Sequence, residues 1–131
     1  MKITLNEIRG LTTGLDTIMA RELPPLTALH FKRLMVRFVE ELKAFEKTRI
    51  NLAVKYAKKD KDGKPLFKKQ GKKKKTKEYD LTQENFIKMG VEYDKIGQKE
   101  FDIPFEPLKV EKLGKTITPD IIYQLGKLVE E

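Results

Sequence analysis

Twelve lysines fall between Lys55 and Glu78, and no other group in this chain has a type and density that suggest chemistry. Against Asp60, Asp62 and Glu78 they leave the stretch at +9, so the rest of the 131-residue protein sums to −1 beneath a total of +8. Lys58, Lys59, Lys61, Lys64, Lys68, Lys69, Lys72, Lys73, Lys74, Lys75 and Lys77 can neutralise phosphates or meet an acidic protein surface. Phe67 and Tyr79 can stack on exposed bases. Arginine, which reads guanine edges bidentately, is absent from the segment. Nucleic-acid contact there is therefore expected to be indifferent to sequence and sensitive to salt. The plainer reading is a solvated tip that keeps an apolar chain in solution.

Catalytic equipment is sparse. His30 is the sole imidazole and there is no cysteine, which excludes disulfides, thiolate metal sites and a cysteine nucleophile and fits a reducing compartment. Packing explains one histidine beside Phe31 better than ligation does. Asp60-x-Asp62-Gly63 opens like a calcium loop, but the third acidic position is missing and loop position twelve, which needs glutamate, is Gly71; a turn accounts for it. Gly63-Lys64 lacks both the preceding glycine-rich loop and the following Ser or Thr of a P-loop. Carboxylate pairs such as Asp102 with Glu106 are expected by chance where 37% of residues are charged. No enzyme activity, cofactor or metal is expected.

The scaffold carrying the lysines is easier to read. Phe31, Met35, Phe38, Leu42, Phe45, Arg49, Leu52 and Tyr56 step by four and three in alternation, which places them on one face of a helix over about residues 26–59 and makes them a candidate helix interface. Val36, Val39, Ile50, Val54 and Ala57 widen that face, so cover on more than one side is expected, by later helices or by a second copy. Arg49 falls inside the seam, where its stem can pack while the guanidinium reaches solvent or a carboxylate.

Before this helix, residues 2–5 alternate as a short strand and Asn6 is expected to cap a helix bearing Ile8, Leu11, Leu15, Ile18 and Met19. Gly10 and Gly14 weaken that helix, and Leu23-Pro24-Pro25 ends it. After the long helix, Asp60 to Pro65 carries turn chemistry. Leu66-Phe67, a turn at Gln70-Gly71 and a return strand over 76–81 predict a lysine-rich hairpin, with a loop as the alternative. Thr82 caps a helix over 82–99 whose Phe86, Met89, Tyr93 and Ile96 should lie back against the long one. Residues 101–105 read as a strand limited by Pro104. Leu108, Val110 and Leu113 suggest an extended piece or a helical turn. Thr118-Pro119-Asp120 starts a final helix expected to run nearly to Glu131.

The expected architecture is one α+β domain over residues 1–131: a long antiparallel helical hairpin, two shorter helices, a small β-sheet, and a basic excursion at 59–80. No signal peptide is expected from residues 1–7, which acquire charge at once. No window approaches the ~20 apolar residues of a membrane span.

Glu22-Leu23-Pro24, the run from Glu41 to Arg49 continuing into Lys55-Tyr56, the turn Lys59 to Lys64, Glu84-Asn85-Phe86, and Ile117-Thr118-Pro119 before a leucine-rich end closing in Glu130 supply a further expectation. In this order the chain resembles a family of small uncharacterised proteins encoded by tailed bacteriophages and prophages. The resemblance implies a phage origin, a site in the host bacterial cytoplasm or the virion, and a non-catalytic role without site residues. The tip is more lysine-rich here than in that family, so the resemblance implies nothing about DNA. The expected function is interaction with a phage or host protein through helical surfaces, in virion assembly or control of a host factor. Sequence-independent nucleic-acid binding by residues 55–78 is the alternative.

Overall fold

The computed structural model describes residues 1–70 and 74–131, with backbone alone at 69, 70 and 74–77. It is an α+β fold whose chain forms two compact units, Met1–Lys43 with Gln98–Glu131, and Ala44–Gly97. Among the described residues no helix is long and apolar enough to cross a membrane.

In the first unit, β1 (Lys2–Thr4) pairs antiparallel with β4 (Glu100–Asp102), setting Ile3 opposite Phe101. The Ile103 amide donates to the Met1 carbonyl at 2.9 Å, and the Phe105 amide donates to the Ile103 carbonyl at 2.8 Å across Pro104. A proline's fixed φ suits such a three-residue turn, so the strand ends earlier than the expected residue 105 while Ile103 and Phe105 remain buried.

The first helix, α1 (Leu5–Met19), is capped by Thr4 and not by Asn6. Thr4 Oγ1 accepts from the Glu7 amide at 3.1 Å while Glu7 Oε1 accepts from the Thr4 amide at 3.2 Å. This reciprocal pair satisfies two helix-end donors, and the Thr-x-x-Glu spacing that makes it stands in the sequence. Lys127 Nζ lies 2.5 Å from Glu7 Oε2 and donates to the Lys2 carbonyl at 3.0 Å. Desolvation pushes the Glu7 carboxyl up, but the Lys127 ammonium and the Thr4 amide and hydroxyl together outweigh it and hold its pKa below the ordinary value.

Ile8, Leu11, Leu15 and Ile18 are buried on α1, and so is Gly14. A Cβ at Gly14 would lie 2.7 Å from the Gln124 carbonyl oxygen, so the residue that costs α1 propensity is the one that admits α4 (Pro119–Leu125) to close range. The Thr118 hydroxyl makes no capping bond; its carbonyl takes the Ile121 and Ile122 amides at 3.1 and 3.2 Å. The expected run to Glu131 does not form. Gly126, at φ +49°, ends the helix and begins a 3-10 turn over Gly126–Leu128. The chain then forms β6 (Val129–Glu130), parallel to β5 (Leu108–Lys109), which leads into a 3-10 turn over Val110–Leu113.

The long helix α2 (Pro25–Tyr56) contributes to both units. Pro25 takes the first helical position, where its missing N–H costs nothing. Buried Thr27 donates its hydroxyl to the Lys112 carbonyl at 3.0 Å. Phe31, Leu34 and Phe38 are buried in the first unit's core with Ile3, Ile8, Leu15 and Leu128. Full burial of such side chains is worth about 1.5–3 kcal/mol each. His30 is half-buried and stacks on Phe105 with centroids 4.7 Å apart, the packing role expected of a lone histidine.

In the second unit, β2 (Phe67–Gln70) and β3 (Lys74–Tyr79) form an antiparallel hairpin as expected, with a register shift between Phe67 and Lys69. The return strand spans 74–79 and not 76–81; of the turn expected at Gln70-Gly71, Gln70 belongs to β2 and pairs with Lys74, while Gly71 lies outside the described residues. Its base is tied by backbone bonds from Lys58 to Asp80, Leu66 to Lys58 and Asp80 to Leu66 at 2.7–2.8 Å. Thr82 caps α3 (Gln83–Gly97), accepting the Asn85 amide at 3.1 Å. This helix returns antiparallel to residues 45–56: Phe45 stacks on Tyr93 at 4.4 Å and the Asn85 amide group donates to the Tyr56 carbonyl at 3.2 Å.

The two α1 glycines should respond oppositely to alanine. Gly10 has open space where its Cβ would lie, so Gly10→Ala should raise stability by about 0.5–1 kcal/mol. Gly14→Ala should lower it, because backbone must move; equal thermal midpoints for the two variants would remove the close α1–α4 approach. The depressed Glu7 pKa contributes stability that is full above the unfolded carboxylate value, about 4.3. That stability is lost as pH falls through the folded value. Acid titration of the midpoint should show this decline, flattened in Lys127→Met.

Candidate functional site

The second unit carries sixteen Lys and Arg against eight Asp and Glu, whereas the first carries twelve against twelve. The entire net charge therefore belongs to residues 44–97. Lys59, Lys61, Lys64 and Lys68 are exposed there, and Lys58 pairs with Asp80 at 3.5 Å. Lys69, Lys74, Lys75 and Lys77 are placed by backbone in β2 and β3. Their side chains, and the whole of Lys72 and Lys73, lie outside the described residues.

The Asp60 turn is closed by its own backbone. Asp60 Oδ1 accepts the Asp62 and Lys64 amides, each at 2.9 Å, and Gly63 adopts φ +79°. Its carboxylate is thus engaged in holding a turn, as the missing calcium-loop positions suggest. Among the described residues no three His, Cys, Asp or Glu stand together as a metal cluster would.

The heptad seam faces inward. Phe31 and Phe38 are buried in the first unit and Phe45 and Leu52 in the second, while Met35 and Leu42 are half-buried. Arg49 forks onto Glu46, with Nε 3.0 Å from both carboxylate oxygens and Nη2 at 2.6 Å, a bond that raises its pKa further. Tyr56 donates its hydroxyl to Glu92 Oε1 at 2.9 Å, and Lys55 meets the same oxygen at 3.4 Å. The Tyr56 hydroxyl and the Lys55 ammonium hold the Glu92 pKa down, and Glu92 raises that of Lys55.

What sequence reasoning missed lies on α3. Phe86 was expected to face the long helix with Met89, Tyr93 and Ile96, yet it is 62% exposed. On a helix, Asn85, Met89, Tyr93 and Ile96 share the inner face, Phe86 lies at its edge about 20° from Tyr93, and Gly90, Ile87 and Val91 continue around the outer side. Ile87 and Val91 are 57% and 50% exposed. The signal was present as apolar residues at i, i+1 and i+5 around Gly90, masked by the inward stripe. A Cβ at Gly90 would meet no heavy atom within 4 Å.

Phe86 also helps to line a groove of about 810 Å³ wholly within the second unit. Arg49, Ile50 and Ala53 of α2 form one wall, Lys68, Glu78 and Tyr79 of the hairpin another, and Leu81, Gln83 and Met89 complete it. Its volume falls in the range of about 300–1,000 Å³ typical of binding clefts. It brings together lysine Lys68 and seam residue Arg49 from the sequence-derived candidates and leaves the buried seam phenylalanines out.

No family model matches the chain, and neither a curated protein nor a solved structure matches it. Geometry and charge therefore carry the functional reading.

A Cβ at Gly90 would enter open space, so Gly90→Ala should raise stability by about 0.5–1 kcal/mol, read from a denaturant midpoint. A destabilised variant would show that α3 packs more closely at this point than the open space around Gly90 implies.

Proposed function

We propose that this is a non-catalytic, phage-encoded interaction protein, acting through the helical surface of its second unit in virion assembly or on a host factor in the bacterial cytoplasm. The observation that carries the reading is the exposed apolar face of α3, where Phe86, Ile87 and Val91 surround Gly90. Grouped exposed apolar residues cost solubility and mark contact surfaces. A surface glycine lets a partner's backbone approach closely. The phage assignment itself rests on the sequence resemblance.

The second reading, sequence-independent nucleic-acid binding, is favoured by the +9 of residues 55–78 and by exposed Lys61, Lys64 and Lys68. Against it, Phe67 and Tyr79 stack on each other with centroids 4.7 Å apart, which occupies one face of each ring that a base would use.

A capture experiment from nuclease-treated host lysate separates the two. The wild-type chain should hold a discrete protein that is lost in the double variant Ile87→Asp, Val91→Asp and kept when Lys72, Lys73, Lys74 and Lys75 become Gln. Retention on duplex DNA at about 0.15 M salt, lost in the glutamine variant and kept in the aspartate variant, overturns the proposal in favour of nucleic acid.

A further inference from the structure

We infer that the groove of the second unit docks an acidic protein segment carrying large apolar anchors. The anchors seat against Ile50, Ala53, Leu81, Phe86 and Met89, and the segment's carboxylates are drawn by the net positive charge of the same unit. The inference rests on the interaction reading above and adds to it the chemistry of the partner.

Two independent properties coincide on this one unit. The first is a groove of about 810 Å³ in which Ile50, Ala53, Leu81, Phe86 and Met89 offer apolar contacts among polar side chains, with Phe86 and Ile50 exposed. The second is charge: residues 44–97 hold the whole +8 of the protein while the other unit sums to zero. A neutral apolar partner would use only the first property, and a polyphosphate only the second. An acidic segment with apolar anchors uses both, because burial supplies affinity while opposite charge speeds encounter and rejects basic competitors.

The groove's arginine is already committed. Arg49 forks onto Glu46 at 2.6–3.0 Å, so its charge is already answered within the chain. Electrostatic selection then falls to the lysines, whose attraction is diffuse and screened by salt. The expected signature is an affinity that depends on both apolar content and ionic strength.

Fluorescence anisotropy with labelled synthetic peptides tests this on the full chain. The peptides share one spacing of Leu and Phe and carry Glu, Gln or Lys between them; polyglutamate of equal length and duplex DNA are the controls. The Glu peptide should bind about tenfold or more tightly than its Gln counterpart at low salt, with the two converging as salt rises. Phe86→Asp and, separately, Ile50→Asp should each weaken the Glu peptide by about tenfold. Both residues are solvent-exposed, so the variants should keep the wild-type circular dichroism spectrum. Equal affinity for Glu and Gln peptides overturns the acidic partner while leaving the interaction reading in place. Polyglutamate binding as well as the Glu peptide, with no loss in either variant, overturns the groove as the docking site. Duplex DNA binding while every peptide fails overturns the inference and the interaction reading together.

Discussion

Covering the apolar face of α2 is the constraint on which the rest of the structure depends. A 32-residue helix bearing Phe31, Phe38, Phe45 and Leu52 on one line cannot stand alone in water. Leaving those side chains exposed would forfeit about 1.5–3 kcal/mol for each. The two units meet that demand differently. In the first, α1, α4 and the residues around β4 enclose Phe31 and Phe38 in a core with few polar interruptions. In the second, one helix and a two-stranded hairpin do the work: Phe45, Leu52, Ala53 and Ala57 are covered while Ile50 is partly open, as Val36 and Val39 are in the first.

The two units also differ in charge. The enclosed first unit is electrically neutral, and its ionic contacts serve local structure, as when Lys127 ties β1 to the capped start of α1. The second unit holds all the net charge and the exposed apolar residues of α3. High like charge raises the self-repulsion of a compact state, and exposed apolar area lowers its solubility. Neither property stabilises the unit by itself. Each is lessened by an oppositely charged partner that covers apolar surface.

Much of this was legible in the sequence, and the exceptions have physical causes. The α2 stripe was readable because a 3.5-residue period sustained over seven turns has no competing interpretation. The β1–β4 pair and the lysine hairpin followed from turn residues and alternation. The Thr4 cap was misplaced at Asn6 because both residue types cap helices and the deciding partner, Glu7, lies three residues on. The end of α4 was missed because Gly126 reads as a tolerable helix glycine until its positive φ is known. The groove was not legible at all. It is assembled from residues 49 to 89, and hydrophobic periodicity reports which residues avoid water without reporting which surfaces fail to meet.

The glycines show where internal packing stops explaining the sequence. Gly14 breaks helix propensity and is explained within the chain, because the Gln124 carbonyl occupies the space its side chain would need. Gly10 breaks the same rule among exposed Asn6, Arg9 and Thr13, where no apolar surface is at stake. Gly90 is different from both: it has open space above it and sits amid exposed Phe86, Ile87 and Val91. A sequence shaped only by the stability of this unit would favour alanine at 90 and polar side chains around it. The departure at all four positions on one face has a single physical account if that face is completed by another molecule, whose close approach the glycine permits and whose apolar groups the three side chains receive.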